Sequence, residues 1–214
     1  PAAPTVTNAS AAVAYNSAGQ TIDLSSHVSG VFSSLTVASG PSHGSVSLSG
    51  TTATYTPTAG YYGADSFTFT ATGPGGTSAP ATVSLTVATP AAPAVSNASA
   101  NVSYNSAGQA ISLSGNVSGV FTSLAVASGP SHGSVTISGT TATYTPTAGY
   151  FGADSFTFTA TGPGGTSAPA TVSLTVATPA APTVTNASAN VAYNSAGQAI
   201  DLSSHVSGVF SSLA

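Results

Sequence analysis

Hydrophobic and polar positions alternate with period two along much of this chain, which is the signature of half-buried β-strands. In Ser66-Phe67-Thr68-Phe69-Thr70-Ala71-Thr72 the two phenylalanines fall on one side and hydroxyls on the other. In Ala81-Thr82-Val83-Ser84-Leu85-Thr86-Val87 the side that faces inward carries Val83, Leu85 and Val87. Less contrasted alternation predicts further strands at 12–15, 21–24, 32–37, 45–48 and 52–56. Turn chemistry separates them: Asn16-Ser17-Ala18-Gly19, Ser39-Gly40-Pro41, Pro57-Thr58-Ala59-Gly60 and Gly73-Pro74-Gly75-Gly76. No window of about 11 residues keeps helical apolar spacing without a Gly or Pro break. The reading is seven short strands that bury Val13, Ile22, Leu24, Leu35, Val37, Val46, Leu48, Tyr55, Tyr61, Phe67, Phe69, Val83, Leu85 and Val87.

The pattern then starts again. Pro1-Ala2-Ala3-Pro4 returns as Pro90-Ala91-Ala92-Pro93 and as Pro179-Ala180-Ala181-Pro182, a period of 89 residues without insertion. Residues 1–89 and 90–178 agree at 76 of 89 positions, and 12 of the 13 differences lie in the first 48 positions of the repeat. A period of 89 is too long for a solenoid unit of roughly 20–50 residues, and suits a self-contained β-sandwich. The expected organisation is repeat 1 at 1–89, repeat 2 at 90–178 and a partial repeat 3 at 179–214. The third holds only the first strands, so it either continues in the same chain or is completed by strands of another chain. The expected fold class is all-β: tandem Greek-key sandwiches of about seven strands, arranged end to end across a stiff Pro-rich junction.

Composition narrows the chemistry. The chain has 214 residues, no Lys, Arg or Glu, four Asp and four His, and no Cys, Met or Trp. With no cationic side chain it has nothing to neutralise phosphates, so nucleic acid is excluded as a partner, as is an anionic lipid surface. Thiol nucleophiles, disulfides and thiolate metal sites are excluded with Cys. No apolar run reaches the roughly 18 residues of a membrane span, and no basic segment precedes an apolar one as in a signal peptide. The sequence reads as a window of a longer chain, or as a processed product.

Several short motifs invite a chemical reading and are better read as structure. Gly40-Pro41-Ser42-His43-Gly44 has the spacing of a nucleophile elbow, but that device needs a helix after the serine, and a strand is predicted there. Gly73-Pro74-Gly75-Gly76 lacks the Lys and helix of a phosphate loop and reads as a hairpin. Asp65 and Asp154 are candidate calcium ligands; one carboxylate falls short of the six to eight oxygens that ion takes, and an Asx-type turn is the expected role. Asp23 with His27 would make half a metal site, and recurs as Asp201 with His205. The middle copy has Ser112 and Asn116 instead, so the pair is dispensable there. No metal site, no other cofactor and no enzyme is expected. Asn8, Asn97, Asn101, Asn116 and Asn186 start Asn-X-Ser triplets, which so Ser-rich a chain produces by chance.

Four segments together resemble a known family. They are Gly40-Pro41-Ser42-His43-Gly44-Ser45-Val46, then Thr54-Tyr55-Thr56-Pro57, then Gly60-Tyr61-Tyr62-Gly63-Ala64-Asp65-Ser66-Phe67-Thr68-Phe69, then the alternating strand ending at Val87. In this order they resemble the tandem Ig-like, cadherin-like repeats of very large bacterial surface proteins, with Phe69 where Tyr is usual. The resemblance implies Ig-like sandwiches in an extracellular array: an adhesin stalk, a biofilm fibre or a surface filament, without a catalytic site. Arrays of this kind are usually acidic and often hold calcium at their junctions, whereas each repeat here has at most two Asp. A neutral surface of Ser and Thr offers little like-charge repulsion, so self-association between identical chains is expected. A glycan or cell-surface partner bound through the loops is the alternative, with Tyr62 and its counterpart Phe151 as the one varying aromatic.

Overall fold

The longest alternating segments become the central strands. The computed structural model describes residues 1–210 and 212, and the chain divides into two units, Pro1–Ala92 and Pro93–Ala214. The first unit contains β1 (Thr5–Val6), β2 (Ala9–Val13), β3 (Gln20–Asp23), a 3-10 turn (Ser25–His27), β4 (Val28–Ser29) and β5 (Ser34–Ser39). It continues with β6 (Gly44–Ser49), β7 (Thr52–Pro57), β8 (Gly63–Gly73), β9 (Gly76–Thr77) and β10 (Ala81–Val87). One sheet has the order β2-β10-β8-β5, with β9 folded back on β8; a second has the order β3-β7-β6; β1 and β4 form a small pair. The expected all-β sandwich is therefore present, and the second unit repeats the same sheet orders.

Period two explains which faces meet. β7 buries Ala53, Tyr55 and Pro57, β8 buries Phe67, Phe69 and Ala71, and β10 buries Ala81, Val83, Leu85 and Val87. Val13, Ile22, Leu24 and Leu35 complete one core. Burying each large side chain contributes about 1.5–3 kcal/mol. Four expected core residues, Val37, Val46, Leu48 and Tyr61, are only half-buried, because the first three stand on the edge strands β5 and β6 and Tyr61 lies in the loop before β8. Four alanines do the filling that sequence pattern overlooks: Ala9, Ala53, Ala71 and Ala81 are buried.

Two strands are shifted from their expected places: β5 covers Ser34–Ser39 rather than 32–37, and β2 is displaced further. β2 covers Ala9–Val13 rather than 12–15. Its stretch of Ala and Ser has little hydrophobic contrast, so alternation does not set its register. Pairing does: β2 runs parallel to β10, with Ala9 opposite Val83 and Val13 opposite Val87. The Asn8 side-chain oxygen accepts from the Thr82 backbone N–H at 2.9 Å and pins the start of that pairing.

In the third copy, Thr183–Val184 pairs with Val206–Ser207 beside a 3-10 turn at Ser203–His205. Val191, Ile200 and Leu202 are 59%, 52% and 42% exposed, while their counterparts Val13, Ile22 and Leu24 are buried. The cause is topological. In a whole repeat β2 and β3 are completed by β10 and β7, which come later in the sequence.

Candidate functional site

The one half-buried carboxylate of each complete repeat lies where three of the motif segments meet. β8 carries Asp65 near its start, and the 40–44 loop leading into β6 crosses over it. Asp65 Oδ1 accepts from the backbone N–H of Ser42 at 3.0 Å and of Ser66 at 2.9 Å. Oδ2 accepts from the His43 N–H at 3.0 Å and from the Tyr55 hydroxyl at 2.8 Å. A carboxylate offers about four lone-pair sites, and all four are taken. Two of the donors lie more than twenty residues upstream, so Asp65 is a long-range clamp and not the local turn that its sequence context predicts.

Aromatic rings complete the cluster. Tyr55 is wholly buried, with its hydroxyl also 3.2 Å from the His43 carbonyl. The His43 ring stacks on Tyr61, centroids 4.1 Å apart and planes 7° from parallel. Tyr61 donates its hydroxyl to the Ala64 carbonyl, so loop and strand are bridged a second time. The second unit reproduces every contact with His132, Tyr144, Tyr150 and Asp154. The His43–Tyr61 stack has no signature of its own in the sequence, since most positions of the repeat recur unchanged at the 89-residue period.

Burial works against the charge on Asp65, yet the bonds from Ser42, Ser66, Tyr55 and His43 outweigh it and hold its carboxyl below the usual carboxylate range. The same opposition, with Tyr144 the largest of the bonds, lowers Asp154. Burial first, and then the bond to Asp65 and its charge, push the Tyr55 hydroxyl well above the ordinary tyrosine range. Tyr144 is raised in the same way. An open groove of about 260 Å³ flanks the clamp, lined by Ser42, His43, Ala64, Asp65 and Ser66. Any ligand reaching for the carboxylate there would have to displace one of its four donors.

Asp23 and His27 are not joined by a hydrogen bond. Asp23 Oδ1 accepts from the Ser25 N–H at 2.8 Å and starts the 3-10 turn; the His27 Nδ1 lies 3.3 Å from the Thr7 hydroxyl. The Ser25 bonds lower the Asp23 carboxyl first, and the His27 charge adds to them weakly. In the middle copy Ser112 meets Ser114 at 3.0 Å, while Asn116 donates to Ser96 at 3.2 Å and to the Asn97 carbonyl at 2.8 Å. Both sets of residues hold the same turn. Among the described residues no group of three or more His, Cys, Asp or Glu comes together in a form able to hold a metal. Replacing Asp23 and His27 by their middle-copy counterparts, Asp23→Ser with His27→Asn, is expected to change stability by no more than about 0.5 kcal/mol. Thermal unfolding at pH 7 checks this; a loss above about 2 kcal/mol would show the pair to be more than a turn.

The nucleophile-elbow spacing does not become an elbow. β6 begins at Gly44, directly after His43, where a helix would be required. Gly73-Pro74-Gly75-Gly76 closes the β8–β9 hairpin, with Gly73 opposite Gly76.

The profile of the bacterial Ig domain matches residues 1–86 and again 90–175. The chain belongs to this family. Among solved structures, the three-domain fragment EC1-3 of mouse protocadherin PcdhgC3 is 15% identical, with 82% of this chain and 68% of that one covered and a TM-score of 0.37. Drosophila N-cadherin EC1-4 is 14% identical over 80% of this chain and 48% of its own, with a TM-score of 0.36. The endo-fucoidan hydrolase MfFcnA9 of glycoside hydrolase family 107 is 18% identical, with a TM-score of 0.34. This chain covers 82% of itself but 34% of that hydrolase, about a third of its length. Likeness at this level says nothing about activity. No curated protein matches the chain. In this bacterial Ig pair, the clamp gives the shared motif its physical meaning: the His-Gly, Tyr-Thr-Pro and Gly-Ala-Asp segments are the parts of one hydrogen-bonded knot.

Proposed function

We propose that this tandem bacterial Ig chain is a structural stretch of a very long extracellular surface fibre, stalk or filament, whose uncharged surface promotes association between identical chains. The observation that carries this reading is where the reactive side chains are spent. The half-buried carboxylate of each complete repeat is saturated by bonds that lock its own loop, and the outward positions of the strands are almost all Ser and Thr. Such a surface hydrates without charge and keeps like chains apart only weakly. The reading includes no catalysis, no calcium and no other cofactor. It places the chain outside the cell, in line with the family's usual setting; no helix among the described residues is long and apolar enough to cross a membrane.

Electron microscopy of the native surface material, with mass per unit length, tests it. Bundles several-fold heavier per unit length than one extended chain are expected. Single thin strands leading to a separate tip would leave the repeat as a spacer and end the building-material reading.

A second reading has one observation in its favour. Tyr62 and Phe151 are 42% and 52% exposed, the large aromatics that the two complete repeats turn to solvent. Stacking against a sugar ring would suit them, and the chain would then be an adhesin module for a glycan or a cell-surface partner. On a glycan array that reading expects a signal that Tyr62→Ala with Phe151→Ala abolishes. No signal from the unaltered chain would remove it.

A further inference from the structure

The four edge strands of a repeat's two larger sheets are not equally protected. β5 is kinked by a register shift between Val37 and Ser39, and such bulges spoil pairing with a second chain. β3 is four residues long and runs into the 3-10 turn. β2 is five residues long and its start is tied down by Asn8. β6 has none of these devices. It pairs with β7 without interruption over six residues, from Gly44 opposite Pro57 to Ser49 opposite Thr52, and contains no charge, no Pro and no bulge.

Register shows what this edge offers. A two-residue turn, Gly50-Thr51 with Gly50 at φ +59°, joins Ser49 to Thr52. The residues flanking such a turn form a hydrogen-bonded pair, and bonding alternates from there. Ser49, Ser47 and Ser45 therefore bond to β7, while Leu48, Val46 and Gly44 turn their N–H and C=O groups outward. Pro57, which has no N–H, sits opposite Gly44, as this alternation requires. The outward groups find no partner among the described residues. Val46 and Leu48 are also only half-buried. The second repeat presents the same edge at Gly133–Ser138, with Val135 and Ile137 half-buried.

We propose that the β6 edge, with its counterpart Gly133–Ser138, is the surface through which two copies of this chain associate. Antiparallel β6–β6 pairing joins the two three-stranded sheets into one of six, β3-β7-β6-β6-β7-β3. The occupant is a second copy for two reasons. A strand paired antiparallel with itself matches its own donors to its own acceptors, and no side chain on either edge carries a charge to oppose the contact. The edge recurs in the second complete repeat, so one chain offers two such surfaces. This inference rests on the self-association reading above and names its site.

The test uses the whole chain. Ser47→Lys with Thr136→Lys puts one charge on each edge at a solvent-facing position. Ser84→Lys with Ser173→Lys adds the same charge to β10 and its counterpart, which are interior strands of the other sheet. Concentration-dependent mass by sedimentation equilibrium should show association of the unaltered chain weakened at least tenfold by the edge pair and less than threefold by the control pair. In the unaltered chain, amide exchange at Val46 and Leu48 should slow as concentration rises, a readout that survives if a variant misfolds. Equal weakening by both pairs, or exchange at Val46 and Leu48 independent of concentration in an associating chain, overturns the edge assignment and leaves self-association standing. A chain that stays monomeric throughout overturns self-association itself, and the edge with it.

Discussion

Asp65→Ala is expected to lower the stability of the first repeat by about 3 kcal/mol. Four donors lose their acceptor at once, and bonds to a charged group are worth about 1.5–3 kcal/mol each when their partner is removed. The sum is not reached, because the site borders a groove and water takes over some donors. Tyr55 fares worst, since its hydroxyl is held under the 40–44 loop with only the His43 carbonyl left. For a sandwich of this size the loss corresponds to a fall of roughly 12–24 °C in Tm. The second repeat is an internal reference: calorimetry should resolve one transition that moves and one that stays. Asp65→Asn should be intermediate, because an amide keeps one oxygen for Ser42 and Ser66 but turns an N–H toward the N–H of His43. If Asp65→Ala melts with the unaltered chain, the clamp is ornament.

The same bonds set the response to acid. Asp65 and Asp154 have carboxyls lowered below the ordinary value of about 3.9. A group depressed in the folded state contributes its stability fully above that ordinary value and loses it as pH falls through the folded one. Stability should hold level from pH 7 to about pH 5 and decline below about pH 4. Removing both clamps, by Asp65→Ala with Asp154→Ala, should leave a less stable chain whose Tm depends less steeply on pH in that acid range.

How much of this was legible in the sequence depended on contrast. Where Phe alternates with Thr, as in β8, or Val and Leu with Ser and Thr, as in β10, period two placed the strand and its buried face together. Where Ala stands beside Ser, as in β2, there was no contrast to read, and only pairing with β10 decides the register. Two-residue strands such as β1 and β4 owe their existence to each other and have no local signal at all. The Asp65 clamp was half visible. The residues stood out as motif segments, and an aspartate taken up by backbone N–H groups was the expected role. That two of those N–H groups come from a loop more than twenty residues away is a property of the fold, which brings the start of β6 across the start of β8. Asp23 and His27 looked like partners because they are four residues apart; the 3-10 turn between them sends one to Ser25 and the other to Thr7.

Gly44→Ala should be nearly as damaging as loss of the carboxylate, for a steric reason. A Cβ built on Gly44 would lie 2.5 Å from the Thr56 carbonyl oxygen and 2.6 Å from the Tyr55 ring. Neither neighbour can yield. The carbonyl belongs to a β7 residue in the middle of the sheet, and the ring is enclosed by the core and tied to Asp65 by its hydroxyl. To admit one methyl group, β6 must lift away from β7 or Tyr55 must break its bond to the clamp. Overpacking of this kind costs about 1–3 kcal/mol, and here the hydrogen bond is at risk as well, so about 3 kcal/mol is expected. The second copy has the same contacts at Gly133, 2.5 Å from the Thr145 oxygen and 2.7 Å from the Tyr144 ring, so Gly133→Ala should lower its own transition equally. Gly44→Ala with Tyr55→Ala distinguishes the cause. Removing the ring should relieve part of the alanine's cost, so the two losses together should fall short of their sum by at least about 0.5 kcal/mol. Additive losses would mean that the ring does not press on this position and that the glycine serves the backbone alone.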